Sequence, residues 1–329
     1  LQGASVDLSA SQTSAANIAV TAMQGNLVTG SQAEIVTPGT LRITANAQLG
    51  QTLVNNAGTL NAGQLDLNVS NIANTNGGEI VQTGTGATTI ATSGALNNDG
   101  GRIASNAQDL SLAGASITNN SGKIEHAGTG TLNIAGGNYS GTDGQITTNN
   151  ALVVAMSSAF NQDGAKAATS ARQITIDAGS LGNRTGAQIV QTGTDATRIT
   201  VVGALDNSGG TMASNGNANI AAGSLANQAG TLRAAGTSDL ALTVGDLLDN
   251  SNKGAISSGG NATVIAGSLN NDTLGSITAV GNLNVKVDAA ATNVGGTLAA
   301  NGNTTLEAGT LDNSGGGVVA AVKENLGVG

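Results

Sequence analysis

Cysteine and tryptophan are absent from the 329 residues, and proline, tyrosine and phenylalanine occur once each. Without cysteine no disulfide can staple the chain, so a secreted protein of this sequence draws its stability from packing and backbone pairing alone. Charge is scarce as well: 11 Lys and Arg, placed singly, stand against 20 Asp and Glu, for a net charge of −9. Nucleic acid and anionic lipid both require a basic patch to engage phosphates, so neither is an expected partner. No apolar run approaches the ~20 residues that span a bilayer, which excludes membrane insertion of this segment by a helix. Residues 1–10 lack the basic and apolar regions of a signal peptide.

What is present is glycine, 50 residues of it, without the Gly-X-Y period of collagen. Evenly spaced Val, Leu and Ile at low charge speak against disorder. The apolar residues belong to a repeat that ends in an apolar residue, any residue, then Asn. Leu53-Val54-Asn55, Ile72-Ala73-Asn74, Leu96-Asn97-Asn98 and Ile117-Thr118-Asn119 are copies, followed by Leu181-Gly182-Asn183 and Leu205-Asp206-Asn207. Further copies end at Asn227, Asn250, Asn271 and Asn313, and forms with Ala in the Leu place end at Asn161 and Asn293. Between Asn119 and Asn161 one more turn fits, with Tyr139 in the Leu place and Gly141 in the Asn place. The 258 residues from Asn55 to Asn313 hold 12 steps of 21.5 residues. A period of this size means one small unit stacked many times, and a stack needs no second core. The expectation is a single continuous β-solenoid over residues 1–329, with about 15 coils of about 21–22 residues. Residues 1–34 carry no clear Leu-x-Asn and are less regular. The chain begins and ends inside the repeat, so it reads as a fragment of a longer filament.

One unit runs from Gly295 to Asn313 as GGTLAANGNTTLEAGTLDN. Three short alternating runs are separated by Asn301-Gly302-Asn303, a turn signal, and by Gly309. Apolar residues recur five or six places after each Asn, among them Ile80, Ile103, Ile146, Ile189, Leu232, Leu298 and Val318. Pairs two apart, such as Leu110/Leu112 and Leu283/Val285, mark strands with one buried face. Coils stacked at ~4.8 Å pair strand on strand, and about 15 of them give a piece roughly 70 Å long. Small residues and few aromatics suit a coil with a narrow interior.

The Asn column has two readings. As a buried ladder, Asn55, Asn74, Asn98, Asn119, Asn183, Asn207, Asn227, Asn250, Asn271, Asn293 and Asn313 pass amide hydrogen bonds from coil to coil, as stacked Asn does in other cross-β assemblies. As a local device, each Asn supports its own turn. The ladder is the preferred reading, and it predicts a larger cost of substitution at Asn250 than at Asn55, near the less regular end. A leucine-rich repeat needs LxxLxLxxN, which LEAGTLDN at 306–313 breaks, and the calcium-binding GGxGxDxUx nonapeptide is absent.

Strings such as GALDNSGGTMASNGNANIAAGSLANQAGTLRAAG at 203–236 resemble the shaft repeats of filamentous hemagglutinin. That family comprises very large exoproteins of Gram-negative bacteria exported by two-partner secretion, including adhesins and the toxin-delivery proteins of contact-dependent growth inhibition. The resemblance runs from Ile35 to the C-terminus and is strongest from Ile189. It implies a right-handed parallel β-helix, an outer-membrane two-partner secretion transporter as partner, and a monomeric filament on the exterior of the outer membrane, facing a host or neighbouring bacterial cell. Two strings, 80–101 and 189–210, agree at 15 of 22 positions, which reads as a duplicated block. Duplication favours selection for length over a unique site.

Candidate sites are few. Catalysis on a β-helix draws on clustered acids that perturb one another, and here the acids are dispersed. Asp143 and Asp163, each followed by Gly, form one adjacent-turn pair, read as turn chemistry with a calcium or acid-pair role as the alternative. His126, the single His, reads as a surface residue, since Glu125 alone does not complete a metal site. Lys166 falls where other coils place Ile or Leu, so its coil carries an insert or bulge, read as drift in a tolerant repeat with an interaction site as the alternative. Tyr139 and Phe160 lie one turn apart and read as stacked core aromatics, with a sugar platform as the alternative. No catalytic residue, metal or cofactor is expected. The functional expectation is a shaft that projects an adhesive or toxin-bearing effector. The alternatives are a shaft that itself adheres to glycan, matrix or biofilm polysaccharide, and, less favoured, a polysaccharide-cleaving β-helix.

Overall fold

The computed structural model describes residues 1–45 and 50–329. Its described residues form 34 strands and no helix, and none of them makes a helix long and apolar enough to cross a membrane. They fall into two compact units, Leu1–Gln162 with Lys166–Thr169, and Asp163–Ala165 with Ser170–Gly329.

Within each unit the strands are parallel and pair with the strands one coil before and after. In the first unit Ile35, Leu60, Ile80, Ile103, Ile124 and Ile146 pair successively, one per coil. In the second, Ile189, Met212, Leu232, Ile256, Ile277 and Leu298 do the same. The sequence alternates because the strands do: in Thr231–Ala234, Leu232 and Ala234 point inward while Arg233 faces out. Stacking puts like on like, so each coil buries the Ile or Leu that it could not bury alone. This is a parallel β-solenoid, as the period requires.

Three details differ from the sequence reading. Leu298 pairs with Val319, and Val318 is 44% exposed, because the arc after Asn313 holds one residue more than the spacing suggests. Gly309 does not break the strand. Thr304–Asp312 is continuous, and its pairing with Leu283–Thr292 shifts register between Val287 and Ala290, a bulge that turns a corner without ending the ladder. Residues 1–34 coil like the rest: Leu27 pairs with Leu53, and Thr29 pairs with Asn55.

Candidate functional site: a buried asparagine ladder

The Asn side chains lie in file because the registers fix them there. In the first unit Asn55 Nδ2 donates to Asn74 Oδ1, Asn74 to Asn98, and Asn98 to Asn119, each at 2.7 Å. In the second, Asn183 donates to Asn207 at 2.6 Å, then Asn207 to Asn227, Asn227 to Asn250, Asn250 to Asn271 and Asn271 to Asn293 at 2.7 Å, and Asn293 to Asn313 at 2.6 Å. From Asn55 to Asn293 these residues are fully buried. Each amide also ties down its surroundings; Asn250 Nδ2 donates to the carbonyls of Gly254 and Ser276, both at 3.1 Å. A buried amide without partners costs ~1–3 kcal/mol, and here almost every polar valence is used. The ladder also dictates glycine. At Gly230 a Cβ would stand 2.6 Å from Asn227 Oδ1 and closer still to the Asn207 carbonyl oxygen.

The first-unit chain of amides has a distinct start and end. Thr29 Oγ1 donates to Asn55 Oδ1 at 2.6 Å. At the other end Asn119 Nδ2 donates to Tyr139 Oη at 3.2 Å. Tyr139 stands in the Leu column, paired with Ile117, and its ring reaches across the place where an Asn would project from residue 141. Burial raises the phenol's pKa above its ordinary 10.0, the Asn119 hydrogen bond opposes that shift, and Asp99 adds slightly to it.

The next coil corrects the sequence reading. Tyr139 and Phe160 stack with ring centroids 4.7 Å apart and planes 17° from parallel, both essentially without exposure. Neither ring offers a face to a sugar. Phe160 therefore holds the Leu place and Gln162 the Asn place, whereas Asn161 is half-exposed and off the column. Gln162 Oε1 accepts from Thr169 Oγ1 at 2.6 Å. Seven residues separate Gln162 from Thr169, two more than separate Asn119 from Ile124. Lys166 lies on the exposed part of this longer arc, its backbone N–H donating to Asp143 Oδ1 at 3.1 Å, while Ala167 and Thr169 turn inward. Asp143 and Asp163 are not equivalent. Asp143 takes the left-handed conformation itself, at φ 53°, while at 163–164 it is Gly164 that does so, at φ 95°. Asp163 is committed to a bidentate ion pair with Arg184, at 2.7 and 2.9 Å. Among the described residues no three of His, Cys, Asp and Glu gather to hold a metal.

His126 is not on the surface. It is 2% exposed, with Nε2 donating to the Ala107 carbonyl at 2.9 Å and Nδ1 3.0 Å from Thr148 Oγ1. It occupies the inward end of the short strand, in a column with Ser105 and Thr148. Gln82, Gln191, Ser214 and Ser258 hold the same place in other coils. Gln82 Oε1 accepts from Leu65 N at 3.0 Å, as Gln191 Oε1 accepts from Ile174 N at 2.8 Å. Ser214 and Ser258 reach the carbonyls of Gly216 and Asn261. Where this column is polar it closes the turn after the short strand; Ala62, Ala234, Ala279 and Ala300 hold the place in other coils. Its one trace in the sequence is the shared IVQTGT of the duplicated strings. An exposed second file also runs along the second unit: Oδ1 of Asn217, Asp239, Asn261 and Asn282 each accepts the backbone N–H of the next coil's counterpart, at 2.7–3.0 Å. The Asn-Gly-Asn corner that reads as a turn signal is part of it.

No family model matches this chain, and no solved structure does. A stretch of 77 residues, 23% of the chain, is 48% identical to a protein named Toxin CdiA from Yersinia pestis. The match covers 2% of that protein's length. Together with the parallel β-solenoid, this homology fits filamentous hemagglutinin-like shaft repeats.

Proposed function

We propose that this chain is part of the shaft of a secreted, cell-surface exoprotein, exported by a two-partner transporter, that holds an adhesive or toxin-bearing effector away from the producing cell. The supporting observation is the buried Asn ladder. It repeats one interaction coil after coil, while Asp163 is held in an ion pair with Arg184 and His126 is buried. Such a stack contributes rigidity and reach, and its paired backbone leaves a protease few free segments. The 48% identity to Toxin CdiA supports a parent of the toxin-delivery kind.

The test is removal of residues 80–188 from the full-length parent. Ile189 then follows Glu79 in the register that Ile80 held. Because neighbours in a solenoid interact only locally, flanking strands should stack as before. The deletion also removes Tyr139, Phe160, Lys166, His126, Asp143 and Asp163. The expected outcome is normal export and folding with only a modest loss of target-cell binding. Normal export with binding abolished would mean that the block carries a specific site, and the shaft reading would fall.

A further inference from the structure

A groove of about 600 Å³ runs across four coils of the second unit, beside the corner where each short strand ends. Its walls carry Thr231, Ser257, Thr278, Val280 and Asn301, and Arg233 stands among them. The first unit has a groove of about 290 Å³ at the same place in its coils, lined in part by Arg102, Glu125 and His126. The two differ in charge. Arg102 Nε lies 2.7 Å from Glu125 Oε2, with Glu79 4.0 Å away on its other side, so that cation is neutralised in place. Arg233 has Ala213 below it and Ser257 above it in register, and no acid lines its groove. Among the described residues Arg42, Arg102, Arg172, Arg184 and Arg198 all pair with a carboxylate, and Arg233 does not. The hydroxyls of Ser257 and Thr278 face outward beside it, each one coil further along, at about the 4.8 Å spacing of paired strands.

A planar guanidinium free of internal partners matches a carboxylate bidentately. A row of hydroxyl and amide groups at regular intervals suits a ligand that is itself polyhydroxylated, and offers little to an apolar one. We propose that this groove binds a short saccharide bearing a carboxylate, with Arg233 holding the carboxylate and Ser257, Thr278 and Asn301 bonding the sugar hydroxyls along the stack. This site does not rest on the shaft reading, and removal of residues 80–188 leaves it in place.

The test is calorimetric titration of the intact 329-residue chain with tetragalacturonate, its methyl ester, and a sulfated tetrasaccharide of similar length. The acid should bind, weakening as salt rises, and the ester should not. Arg233→Ala should weaken binding by about tenfold or more, the worth of one charge-assisted contact. Arg233→Lys should retain part of the affinity, and Arg102→Ala should retain all of it. Circular dichroism of each variant separates loss of binding from loss of fold, and Arg233 is exposed, so its substitution should leave the fold intact. The proposal is overturned if the native chain does not bind the acid, if acid and ester bind alike, or if Arg233→Ala binds as tightly as the native chain. Equal affinity for the sulfated probe would overturn the assignment to a carboxylate.

Discussion

Asn119 donates its amide to the hydroxyl of Tyr139 at 3.2 Å, where the three preceding steps of this ladder run from Asn to Asn at 2.7 Å. The substitution works because it involves two residues. The Tyr139 ring comes from the Leu column and spans the ladder place, and residue 141 is glycine because a Cβ there would sit against the hydroxyl and 2.8 Å from Cε1 and Cζ. Tyr-x-Gly thus replaces Leu-x-Asn as a unit. Tyr139→Leu alone should strand the Asn119 amide, at ~1–3 kcal/mol, and also leave a cavity against Phe160. Gly141→Asn alone should clash with the ring. The double variant rebuilds the ordinary motif and should recover part of both losses. Urea unfolding of the four proteins measures the coupling, and losses that merely add would show that the two positions act independently.

The buried phenol gives a pH prediction. Tyr139 has its pKa raised in the folded state, so between the ordinary value of 10.0 and the folded value the unfolded chain loses a proton that the folded chain keeps. The folded state then binds more protons than the unfolded, and stability falls as pH rises above 10. Below 10 both states are protonated and this group contributes no pH dependence. Since Tyr139 is the single tyrosine, phenolate absorbance reports it without interference. The absorbance should appear only together with loss of the β-sheet circular dichroism signal. Ionisation near pH 10 with the fold intact would contradict a sealed ring.

Strict periodicity made much of this legible. Ile and Leu columns with Asn two residues on give the coil, its length and the ladder, and the same count puts Tyr139 and Gly141 in their true places. The count failed where a residue type misled. Ala159-x-Asn161 imitates the motif one place early, and the true pair, Phe160 and Gln162, contains neither Leu nor Asn. His126 reads as a surface residue because Glu125 alone does not complete a metal site; its reason to be buried is a carbonyl, that of Ala107, contributed by the preceding coil. The polar column leaves no common signature in the sequence because Gln, Ser, His and Thr perform one task there with no shared letter, and Ala holds the place in other coils. Arg233 stands out only once its neighbours are known, since an arginine's pairing depends on residues a whole coil away.

The ladder should be most costly to break in its middle. The sequence places the tolerant end at Asn55, but that residue is fully buried, accepts from Thr29 and donates to Asn74, so it stands within a closed chain of bonds. Asn313 is the less enclosed member: it is half-buried, accepts from Asn293, and donates to Gly317 O at 3.0 Å. Asn250→Leu would remove the acceptor of Asn227 and the donor to Asn271, Gly254 O and Ser276 O, leaving the fully buried Asn227 and Asn271 amides each short of a partner. At ~1–3 kcal/mol for each stranded group, the loss should reach several kcal/mol. Asn313→Leu strands one amide, that of Asn293, and solvent lies close enough to replace it, so about 1 kcal/mol or less is expected. Thermal unfolding of the two variants orders them, with Asn250→Leu well below the native chain and Asn313→Leu near it. If Asn250→Leu and Asn313→Leu lose equally little, the amides serve only their own turns and the chain of bonds between coils contributes nothing to stability.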